Sequence, residues 1–393
     1  MFLLLRLVLL FGTIGGAFVI IFIYEFKKLI ILLKNDVKSL LAGVVAPTVL
    51  LVAFFLIFGN FSSLKLAFVN EDNGDYSKGL EASIFSRISA LNHKPYFEKI
   101  EVDKNKAFEL FEEGKVSGII IINGGFEKAL SSGENAHIEY HFNNYNTDAA
   151  KNLRLYLDEG ILDFYKKTDS DLQIKTEEIF NVEKTIAWFD IIAVSVFLLS
   201  FLLGSMFNFL YLFNKEKEYK TLHEYRLSPK NIIASLFARI VVALMAGAIT
   251  GSINAIFIYI LTGINIFVYI PQMILLLICL GLIYIFFASL LAFYIENFSG
   301  AAVLSIVFTV VLWFLSGATA SVKYASGVLR TISLLIPTTY ALDEIRNIVF
   351  QNDSMSSGLP GYTVGYTIMI GYMVVMMLVT VTVYVKKLNT QAL

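Results

Sequence analysis

Residues 186–213 read IAWFDIIAVSVFLLSFLLGSMFNFLYLF, and the residues that follow, 214–230, read NKEKEYKTLHEYRLSPK. The first stretch carries a single charge, Asp190, close to its start; the second mixes basic and acidic residues and closes on Ser-Pro-Lys. About 20 apolar residues make a helix long enough to cross ~30 Å of hydrocarbon. In lipid such a segment must satisfy its own backbone hydrogen bonds, which a helix does. A membrane helix running into a charged, water-facing turn therefore sets the fold class.

The remainder of the chain repeats that pattern. Further apolar runs occupy Leu3–Ile23 (broken only by Arg6), Ser39–Gly59, Ile232–Leu261, Val268–Ile295, Ala301–Val322 and Tyr362–Val385. The composition agrees: 57% of residues are hydrophobic and 16% charged, where a soluble domain carries about 25% charge. The reading is a polytopic α-helical membrane protein of about six core spans plus an extra N-terminal span. Residues 1–23 also have the basic, apolar start of a signal peptide; their length and the lack of an A-x-A-like cleavage site favour a span.

The charge is unevenly spread. Residues 60–185 hold 15 Lys/Arg against 22 Asp/Glu, net −7, and the rest of the chain is net +6. A water-soluble domain is thus inserted in a membrane scaffold. No concentrated basic face exists of the kind nucleic acid requires. The single cysteine, Cys279, lies in an apolar run, so no disulfide forms within the chain.

Basic residues set the expected orientation. Glu25–Lys38, Asn214–Arg239 and Lys386–Lys387 contain 12 of the 16 Lys/Arg outside the acidic domain. Alternating spans put all three on one side, the cytoplasmic one, and residues 60–185 on the other, in a cell membrane. The expected organisation is an N-terminal helix (1–24), an amphipathic entry helix and first core span (25–59), and the extracytoplasmic domain (60–185). Spans with a cytoplasmic loop at 214–230 follow (186–322), then a re-entrant hairpin and loop (323–361) and a last span with a cytoplasmic tail (362–393).

Within 60–185 the patterns alternate. Leu64–Asn70, Glu98–Val102, Gly118–Asn123 and His137–Phe142 read as strands. Lys104–Glu113 and Asp148–Lys167, the latter capped by Thr147, read as helices. This predicts a small α/β domain with a mixed sheet. Glu71, Asp72, Asp75, Glu112 and Glu113 read as turn and helix-surface residues, and the ligand spacing of a calcium loop is missing around Asp72. His93, His137 and His141 are scattered, with a metal on His137 and His141 a remote option. No nucleophile–base set occurs, so neither a catalytic nor a metal site is expected. Asp190, Arg239 and Glu296 read as span-end charges in reach of water, and Gly12-x-x-x-Gly16 and Gly247-x-x-x-Gly251 as helix-packing positions.

Several stretches together resemble one family. Glu216-Lys217-Glu218-Tyr219-Lys220-Thr221-Leu222 with Leu227-Ser228-Pro229 looks like the E-R-E-x-G-T-hydrophobic…S-P signature of type 2 ABC-transporter permeases. Leu315-Ser316-Gly317 and Pro337-Thr338-Thr339-Tyr340-Ala341-Leu342-Asp343-x-x-Arg346 resemble that family's L-S-G and N-P-x-T-Y-A-L-D-x-x-R stretches. Glu25-Phe26-Lys27-Lys28, Pro47, Ala67–Asp72, Gly114–Gly118 and Gly125-Phe126 also have counterparts. The resemblance covers residues 25–387; Lys220 departs from it where the family often has Gly, and residues 1–23 have no counterpart.

The resemblance implies the membrane half of an exporter. Glu216, Lys217, Glu218, Thr221, Leu222, Ser228 and Pro229 would form the surface that docks a separate ATP-binding subunit. No G-x-x-x-x-G-K-[ST] phosphate loop occurs in the chain. ATP and Mg would therefore bind only the partner, in an assembly of two ATPases and two permeases, homodimeric or heterodimeric, in the lipid bilayer. The resemblance places the transport path at the permease–permease interface, where Phe197, Phe201, Phe207, Phe308 and Trp313 are candidate lining residues suited to drugs, lipids or antimicrobial peptides. The hairpin carrying Pro337, Tyr340, Asp343 and Arg346 would be an outer gate. Extrusion of sodium or another ion through Ser195, Ser200, Asn208 and Asn254 is the alternative within the same machinery. A membrane sensor with a ligand-binding outer domain would need larger cytoplasmic parts. A membrane-embedded transferase would need His or acidic residues at the membrane face.

Overall fold

The computed structural model describes residues 2–56, 63–89, 94–142, 147–168, 186–219, 221, 232–320, 322, 327–350 and 362–389; side chains at 2–17, 38, 42, 147–151, 232, 362–363 and 387–389 are not described. The elements run α1 (Phe2–Asn35), α2 (Lys38–Phe54), β1 (Leu64–Asn70), α3 (Asp75–Phe85), β2 (Phe97–Glu101), α4 (Lys104–Glu112), β3 (Gly118–Ile122), α5 (Phe126–Ser132), β4 (Ile138–Phe142) and α6 (Thr147–Thr168). They continue with α7 (Trp188–Glu218), α8 (Ile232–Thr262), a 3₁₀ turn (Ile266–Tyr269), α9 (Ile270–Tyr294), α10 (Phe298–Leu315), α11 (Gly327–Leu334), α12 (Pro337–Phe350) and α13 (Tyr362–Asn389). Two compact units result: 1–59 with 186–393, and 60–185.

In the helical unit α7 is the axle. Of its apolar window 89% is buried, against 61% for α8 and 17% for α13. Small residues let α2 and α8 approach it closely. A Cβ added at Gly204 would stand 1.9 Å from Thr250 Oγ1, one at Gly43 2.6 Å from Gly204 Cα, and one at Gly247 1.9 Å from Ser205 Oγ. Gly247 and Gly251 thus face α7, as helix-packing positions do. Gly12 and Gly16 lie where side chains are not described. The hydroxyl of Thr250 donates to carbonyls of Ser200 and Gly247, and that of Ser200 reaches the carbonyls of Gly43 and Thr250.

Among the described residues five helices, α7 to α10 and α13, are long and apolar enough to cross a membrane; the bent pair 18–35 and 39–54, its halves meeting at 82°, passes the same test together and counts as a sixth if it is one broken span. The sequence divides the N-terminal region at residues 24–25, whereas α1 passes that point as one continuous helix. Its basic stretch is amphipathic enough to stay helical, with Leu29 and Leu33 packed on Tyr211, Leu212, Ala238 and Val242. The chain turns at Asp36–Val37, where Ser39 Oγ donates to the Asp36 carbonyl.

The inserted unit is a four-stranded mixed sheet of order β2-β1-β3-β4, with β1 parallel to β2 and β3, and β3 antiparallel to β4. Alternation along β1 and β3 explains its two buried faces. Leu66, Phe68, Ile120 and Ile122 pack with Leu80 and Ile84 of α3 and Leu153, Leu157 and Phe164 of α6. Ala67, Val69, Ile119 and Ile121 pack on Ala107, Phe108 and Phe111 of α4. A continuous apolar run at residues 118–122 is what burial on both faces requires. The turn after β1 is a structural knot. Asp72 accepts from the Gly125 and Glu127 amides (2.8 and 3.3 Å), and Asn70 Oδ1 accepts from the Asp72 and Asn73 amides.

Candidate functional site

The charged end of α7 carries the residues singled out in the sequence. Glu216 lies in the last turn of α7, yet only 1% of its side chain is exposed. It pairs with Arg239 of α8, wholly buried, and its Oε1 accepts from Lys28 Nζ of α1 at 2.7 Å. Lys28 in turn pairs with Glu25 at 2.6 Å. The Arg239 guanidinium also lies 5.2 Å from the centre of the Phe213 ring, a cation–π contact. One carboxylate therefore ties α1, α7 and α8 together at the last turn of α7. Tyr211 OH adds a bond to Asp36 Oδ2 at 2.6 Å.

Arg239 does not sit in interfacial water. An arginine buried inside the protein needs an anionic partner, and Glu216 supplies it from 23 residues away. The other expected docking residues are arranged around this pair. Lys217 Nζ caps the end of α9 through the Ala292 carbonyl at 2.9 Å. Glu218 is exposed and pairs with Lys215 at 3.0 Å, and Thr221 Oγ1 donates to the Glu216 carbonyl at 3.2 Å. Leu222, Ser228 and Pro229, with Lys220, lie outside the described residues. Lys28 and Arg239 are functional candidates that sequence reasoning missed. Lys28 stands in the Glu25-Phe26-Lys27-Lys28 stretch that has a family counterpart, and Arg239 gave only the signal of a basic residue near the margin of an apolar run.

The opposite end of α7 holds a second buried arginine. Arg346 of α12 directs Nη2 at Ser195 Oγ (2.8 Å) and at the carbonyls of Gly317 (2.9 Å) and Ala318 (2.6 Å). Gly317 ends the L-S-G stretch at φ +81°, a conformation that favours glycine. Trp313 Nε1 of α10 donates to the Ser195 carbonyl at 2.8 Å, so Ser195 is a hub for three elements. Around it, Pro337 is buried, Tyr340 OH donates to the Leu334 carbonyl, and Tyr284 of α9 bonds Thr338 at 2.7 Å. Asp343 is half-buried on the same helix.

The five aromatic path candidates sit in seams between helices of this chain. Phe197 and Phe201 are buried against Gly251 of α8, and Trp313 is fully buried. Phe207 meets Phe298 with ring centres 5.8 Å apart, and Phe308 stacks on Phe287 at 4.0 Å. The side chains of α10 that face outward are instead Val303, Leu304, Val307, Val311 and Phe314. Among the described residues no group of three or more His, Cys, Asp or Glu is placed to hold a metal ion. His141 is held by Glu139 at 2.5 Å, and His93 lies outside the described residues.

An inserted α/β domain, a central helix whose charged end is clamped by Glu216 and an L-S-G turn pinned by the hairpin arginine occur together with a match of residues 38–386 to the family described as ABC-2 family transporter protein. The chain belongs to that family. It is a multi-pass membrane subunit of an ABC transporter, and membership implies an ABC ATPase as its working partner. No curated protein and no solved structure matches it.

Proposed function

We propose that this ABC-2 subunit is the permease of an exporter that moves amphipathic or hydrophobic cargo (a drug, a lipid or an antimicrobial peptide) out of the cell. Two copies of a separate ATPase drive it, binding ATP and Mg themselves, and it pairs with a second permease, identical or paralogous. The ATPase docks on residues 216–229 from the cytoplasm, and residues 60–185 lie outside, in keeping with the distribution of Lys and Arg.

The observation that carries this reading is the Glu216 junction. A turn pressed by an ATPase does work only if its base is rigid, and Glu216 joins that base to α8 and α1 at once. Displacement of the turn then moves α1, α7 and α8 as a block, and the two states of the permease are biased by nucleotide. In this scheme Glu218 and Thr221 belong to the docking surface, while Glu216 acts behind it. The cargo path runs beside α10, where Phe207 is half-buried in the seam with α7 and Phe308 in the seam with α9. The apolar outward ridge of α10 faces the second permease.

Ion extrusion receives less support from the same helices. Of its four polar residues, Ser195 and Asn208 stand thirteen residues apart on α7, about 20 Å along the helix axis, so they cannot share one ion; Asn208 Oδ1 and Asn254 Oδ1, which have no hydrogen-bond partner among the described residues, are the oxygens this reading would have to use. The test is purification of the chain from its native membrane in gentle detergent. The expected result is an ABC ATPase in the same fraction, whose ATP hydrolysis responds to hydrophobic cargo and loses that response with Glu216→Ala plus Glu218→Ala. Recovery of the chain without any nucleotide-binding protein would refute the reading.

A further inference from the structure

Two buried arginines border α7, and only Arg239 is hydrogen-bonded to a carboxylate of another helix among the described residues; the carboxylate that acts on Arg346 is Asp343 of its own helix, which moves with it. Arg346 is 2% exposed, and its three acceptors, Ser195 Oγ and the carbonyls of Gly317 and Ala318, are all neutral. A single nitrogen, Nη2, serves all three with two hydrogens, while the buried Nε has no hydrogen-bond partner among the described residues. A guanidinium can donate five hydrogen bonds and favours anionic partners. Arg346 is therefore held, but under-satisfied, in a place where an unmade bond is costly.

The acceptors belong to different elements from the donor. Ser195 is on α7, Gly317 and Ala318 form the turn after α10, and Arg346 is on α12. The hairpin has another tie to the end of α10, Ser333 Oγ to the Leu315 carbonyl at 2.5 Å. Of the three Arg346 bonds, the one to Ser195 fastens α12 to the central helix, and the other two fasten it to the turn after α10. We infer that Arg346 is a positioning residue that latches the α11–α12 hairpin over the end of α7, and that each transport cycle breaks this latch. Motion of α7 carries Ser195 away from Arg346, while the L-S-G turn stays on α10. Because the acceptors are neutral, release needs no separation of an ion pair. The inference rests on the exporter reading for the cause of that motion, but not for the existence of the latch.

The test uses the whole complex in cells, with Cys279→Ala and a near-isosteric reporter, Ser316→Cys, in the buried L-S-G turn. A membrane-impermeant maleimide is applied from outside, and labelling is followed with and without ATP trapped on the partner. The expected result is slow labelling without nucleotide and fast labelling with it. Arg346→Gln should raise the nucleotide-free rate by roughly tenfold or more, the factor that one charge-assisted hydrogen bond represents, up to the nucleotide-bound rate and no further. Arg346→Lys, which keeps the charge, should restore most of the difference. A purely structural role would add a similar increment in both states, or none, and either result overturns the latch, as does a reporter that never labels. If Arg346→Gln fails to fold, Ser195→Ala removes one acceptor only and should give a smaller rise in the same direction; no rise would again overturn it. Should Arg346→Gln raise labelling while nucleotide has no effect on the parent, the latch stands and the ATP-driven reading fails.

Discussion

The two ends of α7 solve the same problem in opposite ways. Each buries an arginine from a neighbouring helix. At one end Arg239 meets the carboxylate of Glu216, and Lys28 supports the pair from a third helix. At the other, Arg346 meets a serine hydroxyl and two carbonyls. The difference teaches what each end is for. Opening a buried ion pair leaves charges stranded in a poor solvent, so the Glu216 end moves as a unit. Neutral acceptors set a lower barrier, so the Arg346 end can part.

The contrast is most easily broken at the ionic end. Arg239→Met leaves Glu216 buried with Lys28 alone, and removing one partner of a buried pair typically costs about 3–5 kcal/mol. Thermal unfolding of the purified protein should show this as the largest loss of any single change considered. Adding Glu216→Leu in the same chain should recover most of it, because well-packed apolar replacements of buried pairs are often neutral. If the double variant is no better than the single, the pair is not the source of the loss.

Arg346→Gln removes hydrogen bonds from a charged donor to neutral acceptors, which predicts a smaller loss of about 1.5–3 kcal/mol. The ordering of the two arginine variants in one unfolding series is the direct check on the comparison. A third change probes the joint between the ends. Gly204→Ala must push Thr250 aside, since the new Cβ would lie 1.9 Å from its Oγ1, and overpacking costs about 1–3 kcal/mol. Gly371→Ala on α13 has nothing within 4 Å. It should be neutral or slightly stabilising, as Ala is favoured over Gly in a helix by up to about 1 kcal/mol. Equal effects of the two would mean that α7 is not close-packed on α8. The smallest loss is expected in the inserted domain, where Asp72→Ala removes the acceptor at the start of α5 at a cost of about 0.5–2 kcal/mol. Urea unfolding of the 60–185 region, followed by hydrogen exchange at Gly125 and Glu127, would detect it.

Much of this architecture was legible because it depends on local pattern. The strands of the inserted domain stand where period-two alternation or an unbroken apolar run puts them, and Gly118–Ile122 is buried along its whole length. The apolar runs likewise marked α7 to α10 and α13. Helix α3 was missed because Gly79 interrupts its pattern. That glycine is needed for contact, as a Cβ there would meet the Phe164 ring at 3.3 Å, a packing demand that overrides propensity. The charged network was illegible for another reason. Glu216 lies 188 residues from Lys28, and no local pattern reports a contact made by the tertiary fold. Read singly, Arg239 looks like a span-end charge, and its burial emerges only with Glu216 beside it. The motifs around Leu315-Ser316-Gly317 and Arg346 were visible, but not that one holds the other.

The most direct test of the account is where the ATPase touches the chain. A photo-crosslinking residue placed at the exposed Glu218, two residues from the buried Glu216, would be activated in native membranes and its adducts identified by mass spectrometry. The account predicts an adduct with an ABC ATPase that disappears when that partner is deleted. Adducts confined to lipid, or to a protein without a nucleotide-binding site, would contradict it.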